Sequence, residues 1–121
     1  MKLDIQSILT LIRRHKNSLD DKESSHLNLQ KTFFQANNLM NAHFEGAFLG
    51  YAHLEKAYLE GVHLEGVHLE GADLSNASLK EAKNLIINQL YEVKTLYKAE
   101  LDESLRTLLK EKYPILFEKP E

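Results

Sequence analysis

The side chains in this sequence with the most chemical potential are imidazoles and carboxylates in a recurring arrangement. His43, His53, His63 and His68 each stand two residues before a glutamate, namely Glu45, Glu55, Glu65 and Glu70. Imidazole and carboxylate together can ligate a divalent transition metal ion. A catalytic triad would need in addition a hydroxyl or thiol nucleophile and an oxyanion hole, and neither is indicated near these pairs. There is no cysteine, which removes thiolate nucleophiles, thiolate metal sites and disulfides together. The pairs also recur because the sequence around them recurs, so the simplest expectation is a solvated ladder of copied residues, with no metal and no cofactor.

The recurrence has a period of five. From Ala42 to Ala82 the chain reads AHFEG AFLGY AHLEK AYLEG VHLEG VHLEG ADLSN ASLKE A, with a small residue first and Leu or Phe third in each block. In an α-helix five residues advance about 500°, so successive leucines would fall about 140° apart and share no face. In a continuous strand an odd step would send them to alternate sides. First and third positions can both point inward only if the chain is extended over three residues and then turns a corner. Gly46, Gly61, Gly66 and Gly71, with Asn41 and Asn76, occupy the fifth position and tolerate the positive φ that a corner requires. A chain that turns the same way every five residues must close on itself and stack, each coil burying the face of the last. The pattern predicts a solenoid.

Blocks such as Ala72-Asp73-Leu74-Ser75-Asn76 and Ala77-Ser78-Leu79-Lys80-Glu81 resemble the pentapeptide repeat family. That resemblance implies a right-handed quadrilateral parallel β-helix in which four blocks make one coil and residues twenty apart lie above one another. Tracing the phase backward gives centres at Phe44, Leu39, Phe34 and Leu29, with irregular first positions at Asn37, Thr32 and Leu27. The blocks from Leu27 to Glu81 then make just under three coils. Stacking by twenty places His43 beside His63, Glu45 beside Glu65, and His53 beside Asp73, where a surface ion pair is expected. Ala82-Lys83-Asn84-Leu85, Gln89-Leu90 and Leu96 to Asp102 also resemble the tail that follows many such bacterial solenoids. Ile86-Ile87 and Glu103 stand where that tail usually has Thr-Pro and Pro.

The 121 residues are read as one domain of mainly β class, with flanking helices. Ile5, Ile8, Leu9 and Ile12 have helical spacing, so residues 4–15 are expected to form an N-terminal capping helix and 27–82 the solenoid. Residues 86–113 are expected to form a two-helix C-terminal tail, with Ile86, Leu90, Val93 and Tyr97 on one helical face and Leu105, Leu108, Leu109 and Tyr113 on another. Asp102 is the expected N-cap of the second helix and Pro114 its stop. No apolar run approaches a membrane span and no signal-peptide pattern opens the sequence, so the reading is cytoplasmic, without membrane association. The net charge of -3 is concentrated in residues 26–82, which carry -4. Nothing there attracts nucleic acid.

Function is sought on the outward positions. Phe33, Phe48, Tyr51, His53 and His68 fall on adjacent sides of the first coils and are the candidate partner-binding residues, unless a tail helix lies over them. The expected function is a non-enzymatic interaction or scaffold module for an unidentified protein, as a monomer or a weak homodimer through its ends. A convex rod with a filled interior has no pocket for an enzyme. The family resemblance supplies one alternative, imitation of duplex DNA to modulate DNA gyrase or topoisomerase. Three coils at about 4.8 Å span about 14 Å, against about 34 Å for one duplex turn. Duplex DNA of that length carries about eight charges, twice the net charge of the repeats.

Overall fold

The computed structural model describes residues 27–120. The expected capping helix at 4–15 lies outside the described residues. From Asn28 to His63 the second position of each block forms a parallel bridge with the residue twenty further on. Asn28 pairs with Phe48 and Phe48 with His68; Phe33 pairs with His53 and His53 with Asp73; Asn38–Tyr58–Ser78 and His43–His63–Lys83 make the other two columns. Each bridge is closed by backbone hydrogen bonds on both sides, as in Leu29 N–H to Phe48 O at 2.8 Å and Phe48 N–H to Leu27 O at 2.8 Å. The four columns are the four sides of a stacked coil.

The interior follows from the sequence column by column. Leu29, Phe34, Leu39, Phe44, Leu49, Leu54, Leu59, Leu64, Leu69, Leu74 and Leu79 are all buried, and so are the small residues two positions before them from Ala47 to Ala77. Phe34 and Phe44 meet edge to face with centroids 6.0 Å apart, filling one end of the core with larger side chains than the leucines elsewhere. Thr32 stands in the small-residue column, fully buried, and its hydroxyl has no hydrogen-bond partner among the described residues. An unpaired buried hydroxyl costs free energy that an isosteric methyl does not.

Corners occur at every fifth residue whatever its type. φ is positive at Gly46, Gly61, Gly66 and Gly71, but equally at Lys31, Ala36, Asn41, Tyr51, Lys56, Asn76 and Glu81. Stacking imposes the left-handed conformation, and glycine or asparagine merely makes it less costly.

The tail differs from expectation in an instructive way. Of the face through Ile86, Leu90, Val93 and Tyr97, only Ile87–Leu90 is helical (α1), a single turn. The chain then rejoins the solenoid, with Thr95 bridged to Asp73 and Glu100 to Ser78, a step of twenty-two instead of twenty. Leu96 and Leu101 are buried and Lys98 supplies the positive φ of a corner. A two-residue excess between Lys83 and Thr95 therefore shifts the repeat phase, and the shifted apolar positions happen to fall at helical spacing. Gln89 repairs the ladder where α1 interrupts it: its side-chain amide donates to Leu64 O at 2.7 Å and Val67 O at 3.2 Å, while its Oε1 accepts from Ile86 N–H at 2.9 Å.

The second helix, Glu103–Lys112 (α2), starts after Asp102 and stops two residues before Pro114, which opens a 3-10 turn, Pro114–Phe117. Asp102 occupies the N-cap position without capping the helix: its backbone carbonyl accepts from Arg106 N–H at 2.9 Å, and its carboxylate accepts from Glu81 N–H at 3.1 and 3.2 Å. Leu109 and Leu116 are buried against the last coil, and Leu116 O accepts from Leu96 N–H at 2.7 Å. The tail thus closes the end of the solenoid.

Two substitutions test these assignments. Thr32→Val should raise the unfolding free energy by about 1 kcal/mol in urea titrations, because it removes the unpaired hydroxyl and keeps the shape. Gln89→Ala should lower it by about 2 kcal/mol, since it strips three hydrogen bonds and leaves the Val67 carbonyl unpaired in the ladder.

Candidate functional site

The stacked columns determine which outward side chains meet. Rings twenty residues apart lie one above the other because their backbones are bridged. Phe33 stacks on His53 with centroids 4.6 Å apart and planes 4° from parallel; Phe48 stacks on His68 at 4.8 Å and 15°. At the corner between these columns Tyr51, in the left-handed region with φ 57°, lays its ring against Gly71, where a Cβ would collide with it.

The five candidate residues therefore do not form one surface. Phe33, Tyr51 and His53 line an open recess of about 400 Å³ together with Lys31, Asp73 and Lys94. Phe33 is 38 % and Tyr51 60 % exposed. Phe48 is half-buried and His68 exposed, on the neighbouring side, and His68 borders a different depression next to Gln89 and Glu92. The tail packs on the solenoid end and leaves Phe33 and Tyr51 accessible, so the expectation that a tail helix would lie over this patch is not met for those two residues.

The expected ion pair between His53 and Asp73 is absent. His53 Nδ1 faces Glu55 Oε1 at 3.6 Å instead. Asp73 Oδ1 accepts from Ser75 N–H at 3.0 Å and from Ser75 Oγ at 2.8 Å, and Asp73 Oδ2 lies 3.9 Å from Lys94 Nζ. The local turn after Asp73 wins because Ser75 offers two donors within the same block, whereas a partly exposed imidazole offers one weak partner. Lys94 had no signal in the five-residue phase, since it follows the two-residue shift and reaches the recess from the last coil.

On the opposite column His43 and His63 stack with centroids 4.1 Å apart and planes 13° from parallel. His43 Nδ1 lies 3.3 Å from Glu45 Oε2. Burial alone would raise the Glu45 pKa. A hydrogen bond from its own backbone N–H, the bond with His43 and the charges of His43 and His63 outweigh that and hold it below the usual carboxylate value. No helix among the described residues is long and apolar enough to cross a membrane.

Tyr51 separates backbone strain from side-chain packing. Tyr51→Gly should leave the unfolding free energy within about 1 kcal/mol of the parent, relief of the left-handed conformation offsetting lost ring contact. Tyr51→Val, β-branched in the same conformation, should lower it by about 2 kcal/mol in the same denaturation experiment.

Residues 52–83 match the family model for pentapeptide repeats, in eight copies. The fold that goes with these repeats is the right-handed β-helix. Solved structures similar to this chain include QnrB1, a plasmid-mediated fluoroquinolone resistance protein, in two trypsin-treated forms. They are 21 % and 20 % identical, with TM-scores of 0.37 and 0.38, covering 72 % of this chain in each case. The chain spans 43 % and 44 % of those chains, less than half their length. Another is alr5209, a pentapeptide repeat protein from Nostoc Pcc 7120, 25 % identical with a TM-score of 0.27, covering 78 % of this chain and 75 % of that one. No curated protein matches the sequence at a significant level.

Proposed function

We propose, on the premise that residues 52–83 are pentapeptide repeats within a right-handed β-helix, that this chain is a non-enzymatic module that binds another protein through one side of the coil. The observation that carries the reading is the recess at Phe33, Tyr51 and His53, where two large aromatic side chains stay exposed while the tail packs Leu109 and Leu116 on the solenoid end. An aromatic pair bordered by Lys94 and Asp73 suits an apolar anchor residue of a partner, ringed by polar contacts. Rigid backing strengthens the case: Phe33 is held by the stack on His53 and Tyr51 by Gly71, so little side-chain freedom is lost on binding.

The other expectations fit around this one. Residues 4–15 are proposed to cover the first coil, whose Leu29, Phe34, Leu39 and Phe44 are as buried as the leucines in the middle of the stack. An intracellular location and a monomeric or weakly dimeric state through the ends remain part of the proposal. Imitation of duplex DNA is the poorer reading, because the acidic positions are interleaved with histidine and the described repeats are short.

Crosslinking followed by mass spectrometry, with the purified chain as bait, should recover a partner whose crosslinks map next to Phe33 and Tyr51. Phe33→Ala with Tyr51→Ala should reduce that capture at least tenfold while leaving the thermal midpoint within a few degrees of the parent. Capture unchanged in the double variant would move the interface elsewhere. A supercoiling assay in which the chain alters gyrase activity would favour mimicry instead.

A further inference from the structure

We propose that His43, Glu45 and His63 form a binding site for one divalent transition metal ion of the zinc class. The three residues offer two imidazole nitrogens and a carboxylate oxygen, all within 4.8 Å of one another, and all three are half-buried. Two coils contribute: the backbone bridge between His43 and His63 fixes the imidazoles one above the other, and Glu45 joins from the same block as His43, on the far side of the buried Phe44. Among the described residues no other group of three potential ligands converges in this way.

The repeat does not supply this arrangement automatically. His-x-Glu occurs four times, but only at His43 does a second imidazole occupy the next place in the column. His53 lies between Phe33 and Asp73, and His68 stacks on Phe48. Lys83 follows His63 in its column, so the imidazole ladder is two rungs long and offers one site, not a row of them.

The donor chemistry sets the class of ion. Two imidazoles favour zinc, copper, nickel or cobalt over calcium and magnesium, which take oxygen ligands. At bond lengths of about 2.0–2.1 Å the donors around a tetrahedral ion stand about 3.3 Å apart. The imidazoles must therefore tilt out of their parallel stack and the donors close by up to about 1.5 Å. Side-chain torsions can supply this while the bridged backbone stays in place. The described residues would fill three positions and leave a fourth for a further ligand such as water.

Untagged full-length protein should be titrated with cobalt(II), followed by visible absorption, and with zinc(II), followed by calorimetry. The expected result is one ion per chain, cobalt d–d bands that zinc abolishes, and a thermal midpoint that rises with zinc concentration. His43→Gln and His63→Gln should each weaken binding about a hundredfold and Glu45→Gln about tenfold, with His68→Gln unchanged. Midpoints measured without metal establish that each variant folds. Should either histidine variant fail to fold, Glu45→Gln alone decides, and unchanged affinity in it overturns the site. Absence of stoichiometric uptake, or affinity that survives loss of both histidines, overturns it as well.

Discussion

Backbone hydrogen bonds between residues nineteen and twenty-one apart tie each turn of this chain to the next, and every other feature is tolerated only so far as it leaves that register intact. Leu29 N–H reaches Phe48 O, Phe48 N–H reaches Leu27 O, and the same two bonds recur around the stack. Both faces of each coil thereby satisfy polar groups that the apolar interior could not. A square coil of twenty residues then needs four sharp corners. That is why lysine, alanine, tyrosine and glutamate adopt positive φ at fifth positions alongside glycine and asparagine.

The tail obeys the same constraint under a different sequence. Between Lys83 and Thr95 the chain carries two residues more than a coil can hold, and α1 takes up the excess as a single helical turn. A helical turn keeps its own hydrogen bonds, so the coil above it would lose its partners on that side. Gln89 supplies the missing donor at Val67 O with a side-chain amide that imitates a backbone N–H, and the same amide adds a second bond to Leu64 O. The solenoid resumes with Thr95, Leu96, Glu100 and Leu101 in the places of Asp73, Leu74, Ser78 and Leu79, and the order of the core is preserved across the shift.

Much of the fold was legible in the sequence because its cause is periodic. The third-position leucines and phenylalanines repeat without a slip, the small-residue column is regular from Ala42 on, and glycine or asparagine marks six of the corners. What escaped was whatever breaks the period. Val93 and Tyr97 imitate helical spacing only because the phase moved by two. Corner residues such as Ala36, Tyr51 and Lys98 carry no mark of positive φ in their side chains. At the candidate sites the column neighbours followed once twenty-residue stacking was assumed, so the aromatic and imidazole stacks were foreseeable. The placing of Phe48 and His68 on the side next to Phe33 and His53 followed from the same register. That Tyr51, at the corner between them, lines the recess of Phe33 and His53 did not. Lys94 and the turn of Asp73 toward Ser75 depend on three-dimensional competition that spacing does not encode.

Asp102 shows how a stack of this kind can have an end. Its position in the register is the one whose backbone carbonyl would receive the Glu81 N–H, yet that carbonyl opens α2 and the carboxylate takes its place at the corner. An open coil with unpaired amides is a template for any further strand, including one from another molecule, and end-to-end growth is the hazard of every such architecture. By diverting its main chain and substituting its side chain, one residue arrests that growth at its corner, so the rod has a length and not merely a period.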